Sequence, residues 1–152
     1  MFKRNKLILF IVLTAALLFQ GCSASGSKAY NDGYYYSEAA DFGSSGWKEY
    51  VEITIENGEI TDINWDAIYK DDSIPIRKKQ YSKSGLYGML TVGAINEWYD
   101  QAIAAETFVL ENGIDALTFT DDGAHTDAVS SCTISVNEFD ELLRSCLAQA
   151  EK

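Results

Sequence analysis

The sequence predicts an α+β domain: an antiparallel sheet built around a hairpin over about 47–67, with packed helices over about 94–110 and 136–150. Three observations predict it. From Trp47 to Glu56 the apolar residues Val51, Ile53 and Ile55 alternate with Glu52, Thr54 and Glu56, the period of a half-buried strand. Asn57 and Gly58 then supply the two positive-φ positions of a tight hairpin turn. Further on, apolar spacings lengthen to three and four, the period of a helix. Strands first and helices after them imply segregated layers, and exclude a parallel α/β sheet.

Taken in order, Asp32 and Gly33 open a run of three tyrosines, Tyr34 to Tyr36, read as the first strand. Gly43, Ser44, Ser45 and Gly46 form the loop to the second. The return strand of the hairpin runs from about Glu59 to Ala67, with Ile63, Trp65 and Ala67 on one face. Lys70 to Lys83 shows no period and is read as a surface loop. Its basic cluster, Arg77, Lys78, Lys79 and Lys83, is either a solvated face or an anion contact. Ala94, Ile95, Trp98, Ala102, Ala105, Val109 and Leu110 describe a helix face that ends at Asn112 and Gly113. Leu117 and Phe119 alternate in a short stretch from Asp115 to Thr120, read as another strand, and Asp121, Asp122 and Gly123 make a turn. Ser135 with Glu138 three residues on reads as a capping box. The helix it opens carries Val136, Phe139, Leu142, Leu143, Cys146 and Leu147 on one face.

The chain has 152 residues, 47% of them apolar and 12% aromatic, with 23 acidic side chains against 12 basic ones for a net charge of -11. This is the composition of a globular chain of one domain. The acid excess argues against nucleic acid, whose phosphates attract clustered Lys and Arg. A single histidine, His125, leaves no multi-histidine metal site and no helical zinc-protease pair. Neither a phosphate-cradling Gly-rich loop nor a dinucleotide fingerprint occurs, and Asp121 and Asp122 lack the spacing of a calcium loop. No metal is therefore expected.

Lys3, Arg4 and Lys6 precede an apolar stretch from Leu7 to Phe19, the organisation of a secretory signal peptide and too short for a spanning helix. Gly21 before Cys22 resembles a lipoprotein signal, in which the Cys22 thiol takes a diacylglycerol and becomes the mature N-terminus. Phe19 stands where that signal usually has Leu. Residues 1–21 are thus read as signal peptide, 22–31 as a flexible tether of small and polar residues, and 32–152 as the folded domain. Removing residues 1–21 takes away three basic charges, so -11 becomes -14. Anionic lipid repels such a body, which is expected to stand off the extracytoplasmic face of the cell membrane. Outside the cytoplasm Cys132 and Cys146 have the option of pairing.

The stretch that carries chemistry is Thr126, Asp127, Ala128, Val129, Ser130, Ser131, Cys132 and Thr133, just before the last helix. A helix N-terminus offers unpaired N–H groups and partial positive charge, which places Thr133 well to carry or contact a phosphate. This segment resembles the FMN-binding domain family, which includes a flavin-carrying subunit of the sodium-pumping NADH:quinone oxidoreductase and many lipid-anchored extracytoplasmic proteins. The family pattern is Asp, two variable residues, Ser or Thr, Gly, Ala and Thr, the last esterified to the phosphate of FMN. Asp127, Ser130 and Thr133 match it, while Ser131 stands for Gly and Cys132 for Ala. The resemblance extends through 85–89, 97–102, 109–112 and 134–139. A left-handed backbone at Ser131 would cost about 1–2 kcal/mol.

What the resemblance implies is a membrane-anchored electron carrier with FMN on Thr133, attached by a flavin transferase and fed by a membrane oxidoreductase. Tyr87, Met89, Trp98 and Tyr99 are candidates for the ring environment, with core packing as the alternative for the aromatics. Lys78 and Lys79 are candidate phosphate or ring-oxygen contacts, and solvent exposure is their alternative. His125 is an exposed turn residue or a neighbour of the site. No general base, nucleophile and substrate pocket can be named together, which favours a carrier over a self-sufficient enzyme. Two other readings stand beside it: a module holding flavin noncovalently, and a lipid-anchored ligand- or protein-binding module with no redox group.

Overall fold

The computed structural model describes residues 30–151. The signal peptide, Cys22 and the tether up to residue 29 lie outside the described residues. Tyr30 and Asn31 already belong to the body: Tyr30 packs on the core, and the Asn31 N–H donates to the Ala150 carbonyl at 2.8 Å.

Three strands, β1 (Gly33–Glu38), β2 (Trp47–Glu56) and β3 (Glu59–Tyr69), form an antiparallel sheet in the order β1-β2-β3. Asn57 and Gly58 make the hairpin turn at φ 56° and 78°, as their residue types require. The register pairs Val51 with Trp65 and Ile53 with Ile63, so one sheet face is largely apolar, with Glu49 on it accepting the Trp65 indole N–H. Onto it pack α2 (Trp98–Asn112) through Trp98, Ala102, Ala105 and Val109, and α3 (Asn137–Ala150) through Phe139, Leu142, Leu143, Cys146 and Leu147. Each large side chain buried there contributes about 1.5–3 kcal/mol. The α+β arrangement is the one the sequence predicts.

Four local expectations are corrected. The helix read over 94–110 starts at Trp98, because Gly93 at φ 95° interrupts the backbone and Asp100 reaches back to accept the Glu97 N–H at 3.3 Å. Ile95 consequently lies outside the helix and is exposed, and Leu110, within α2, also faces solvent. The strand read over 115–120 is a 3-10 turn, Ile114–Ala116, followed by extended chain. Its polar groups are spent on the neighbouring loop: the Thr120 N–H donates to the His125 carbonyl and the Thr126 hydroxyl to the Thr118 carbonyl. Ser135 and Glu138 form no capping box. The buried Val136 occupies the cap position of α3 instead, its N–H donating to the Ala124 carbonyl at 2.8 Å.

The fourth correction concerns the basic segment, which is partly helical as α1 (Lys78–Lys83) and is drawn inward. Lys78 is only 4% exposed. Its ammonium lies 3.1 Å from Glu49 Oε1 and 4.1 Å from the centre of the Trp98 ring. Burial pushes the Lys78 ammonium below the usual lysine range, against the opposing pull of Glu49. Lys79 meets Glu106 at 2.6 Å and Asn64 Oδ1 at 2.8 Å, and Glu106 also accepts the Trp65 N–H. These lysines tie α1 to the sheet and to α2.

Candidate functional site

The segment from Thr126 to Val136 alternates between inward plugs and outward hydroxyls. Thr126, Val129, Cys132, Ile134 and Val136 are buried, whereas Asp127, Ser130, Ser131, Thr133 and Ser135 face solvent. Thr126 starts the turn, its Oγ1 accepting the Ala128 N–H at 3.0 Å. Ser131 then adopts the left-handed conformation at φ 61°, which lets the chain reverse and drop Cys132 into the core. Gly best fits such a backbone.

Thr133 is held from the other side by α2. Gln101, 1% exposed, accepts the Thr133 N–H at 2.6 Å and the Ile134 N–H at 3.1 Å on its Oε1, with the Thr133 hydroxyl 3.3 Å away. Its Nε2 donates to the Asn96 carbonyl at 3.0 Å. α3 begins at Asn137, four residues beyond Thr133, and the amides at 133 and 134 are committed to Gln101.

At the N-cap of α2, Glu97 performs a similar task for a second loop, accepting the Leu90 N–H at 3.2 Å and lying 3.4 Å from the Ser82 hydroxyl. Loops 84–96 and 126–134 are thus both held at the start of α2. No charged residue occurs between Lys83 and Glu97. Four apolar side chains of this uncharged loop, Leu86, Leu90, Val92 and Ile95, are exposed, with Val92 at 84% and Ile95 at 74%. Met89 and Tyr87 are half-buried against the core, Tyr87 lying 6.4 Å from the Trp47 ring. Trp98 is in the core, edge-on to Trp65 at 5.1 Å.

Thr133, Ser131, Ser130 and Asp127 therefore lie on one exposed loop, with Tyr87 and Met89 on the loop beside it. Cys132 points inward, and Trp98 is a packing residue under Lys78. Lys78 and Lys79 are consumed by Glu49 and Glu106 rather than presented to an anion. His125 sits 2.6 Å from Asp122 in an exposed turn. Cys132 and Cys146 are both free and buried, and burial pushes the Cys146 thiol up to about 11. Gln101, Glu97 and the exposed apolar loop escaped the sequence reading. The available signal was Gln101 itself, a polar side chain three residues after Trp98 and four before Ala105 on an apolar helix face.

These features define a small domain in which one face of an antiparallel sheet is covered by helices that suspend two loops at one end. No family model matches the chain. It belongs to the family of a Clostridium thermocellum protein solved by solution NMR, to which it is 40% identical over 80% of this chain and 92% of that one, with a TM-score of 0.58. A 15 kDa lipoprotein of Treponema pallidum is 25% identical over 140 residues, 92% of this chain and 88% of that protein. A Clostridium perfringens crystal structure, at 19% identity and a TM-score of 0.58, shares the fold.

Proposed function

We propose that this chain is a lipid-anchored extracytoplasmic flavoprotein that carries FMN on Thr133 through a phosphoester and acts in electron transfer. The observation that carries the reading is Ser131 at φ 61°, the left-handed geometry served by Gly in the resembling pattern, two residues before the exposed Thr133. Two features support the reading. Thr133 has its backbone pinned and is exposed, and the uncharged loop exposes the apolar side chains Leu86, Leu90, Val92 and Ile95. When bound, FMN supplies one- and two-electron chemistry, while the protein sets its position and surroundings.

Anchoring through Cys22 is supported by the signal-like N-terminus and by the relative named a lipoprotein. A covalent link suits that location, since a flavin lost outside the cell is diluted beyond recovery. The implied partners are a flavin transferase and a membrane oxidoreductase as electron donor. Intact mass of the chain coexpressed with a flavin transferase tests the reading: an FMN-sized increment is expected in the wild type and absent from Thr133→Val. No increment in the wild type overturns it.

The bareness of Val92 and Ile95 favours a second reading, a ligand- or protein-binding module with noncovalent flavin or none. Yellow fluorescence that survives a denaturing gel argues against this second reading.

A further inference from the structure

Gln101 is committed almost entirely to one loop. Its Oε1 has two lone pairs and three donors around it: the Thr133 N–H at 2.6 Å, the Ile134 N–H at 3.1 Å and the Thr133 hydroxyl at 3.3 Å. The two amides take the shorter contacts. The hydroxyl holds the longest, and it is the only one of the three that esterification of Thr133 would remove. Because the amides take both lone pairs of Oε1, the Thr133 hydroxyl at 3.3 Å is the donor most readily released, while its backbone stays pinned. Nε2, fixed on the Asn96 carbonyl, prevents the amide from turning over.

We propose that Gln101 is the positioning residue that presents the Thr133 hydroxyl for phosphoryl transfer, an inference that rests on the FMN reading. In that transfer the bond from Thr133 Oγ1 to phosphorus forms as the pyrophosphate P–O bond of a flavin dinucleotide breaks. The departing nucleoside monophosphate takes the electron pair, and the hydroxyl proton passes to a base of the transferase. A neutral amide oxygen is too weak a base for that proton, so Gln101 acts through geometry alone.

The test uses the full chain with a flavin transferase and FAD, comparing wild type with Gln101→Leu, Gln101→Asn and Gln101→Glu. Amide hydrogen exchange is read on the unmodified proteins, and the initial rate of FMN mass gain on the reacting ones. Loss of the acceptor in Gln101→Leu is expected to speed exchange at Thr133 and Ile134 by about tenfold, with Val51 and Ile53 unchanged. It is expected to lower kcat of transfer about tenfold with KM for FAD unaltered. Gln101→Asn, one methylene short, behaves the same way and decides the matter should the leucine variant not fold. Gln101→Glu keeps an acceptor oxygen and regains most of the amide protection. Transfer at the wild-type rate in the leucine or asparagine variant overturns the positioning role while leaving the FMN reading intact. A wild type that gains no FMN overturns both.

Discussion

Ser131 and Asp122 show how single residues shape the loop that carries Thr133. The left-handed backbone at Ser131 costs about 1–2 kcal/mol relative to Gly, partly offset by the extra freedom Gly has in the unfolded chain. Ser131→Gly is expected to raise stability by about 0.5–1 kcal/mol, read as a higher urea midpoint at constant m-value. A lower midpoint would show that the serine hydroxyl matters more than the backbone. Asp122 braces the adjacent turn. The N–H groups of His125 and Ala124, then the His125 ring and the Thr120 hydroxyl, hold its carboxyl well below the usual 3.8. A depressed folded pKa means stability present above about pH 4 and lost as the pH falls below it. Melting curves between pH 2 and 6 are expected to show a shallower acid decline in Asp122→Ala than in the wild type. Equal declines would remove the turn from the account.

At the scale of elements, the hairpin was legible because its information is local: alternation in β2, two turn residues and alternation again in β3. The hydrophobic face of α3 was legible for the same reason, although its cap was not, since Val136 is placed by contact with Ala124. The segment from 70 to 83 was misread because its partners are far away in sequence. Nothing near Lys78 announces that Glu49 and the Trp98 ring will enclose it, or near Lys79 that Glu106 will. Removing one member of a buried pair strands the other charge. Lys78→Met is expected to cost about 3 kcal/mol in urea unfolding. Adding Glu49→Gln is expected to recover much of that loss, because the amide oxygen still accepts the Trp65 indole N–H. A double variant no more stable than the single one would mean that the lost packing over Trp98, and not the stranded charge, sets the cost.

Across the whole molecule the two ends differ. Tyr30 and Asn31 enter beside the end of α3, and the Asp32 carboxylate binds the Gly58 N–H at the hairpin turn. Tyr87 packs on Trp47, at the opposite end of β2, and the first turn of α2 holds the Thr133 loop there. The ten residues of β2 separate these ends by about 33 Å. An anchor at Cys22 would thus hold the domain by the end remote from the proposed flavin, leaving the uncharged loop and Thr133 directed toward a partner. Residues 23–29 reach at most about 25 Å beyond it. Cys22→Ala is expected to move the protein from the membrane fraction to the soluble one with the fold unchanged, checked by fractionation and circular dichroism. Retention in the membrane fraction would place the attachment elsewhere.

The chain's sequence by itself determined the layer architecture, the hairpin and the loop that bears Thr133, since periodicity and turn chemistry act between near neighbours, whereas the hairpin register is set by a shift between Thr54 and Ile55. Only the tertiary structure decided what surrounds that loop. Gln101 and Glu97 acquire their roles because the folded start of α2 presents two buried acceptors, Glu97 at its cap and Gln101 in its first turn, to backbone amides that approach from 90 and from 133. Hydrogen bonds to so distant a backbone leave no pattern in the order of residues.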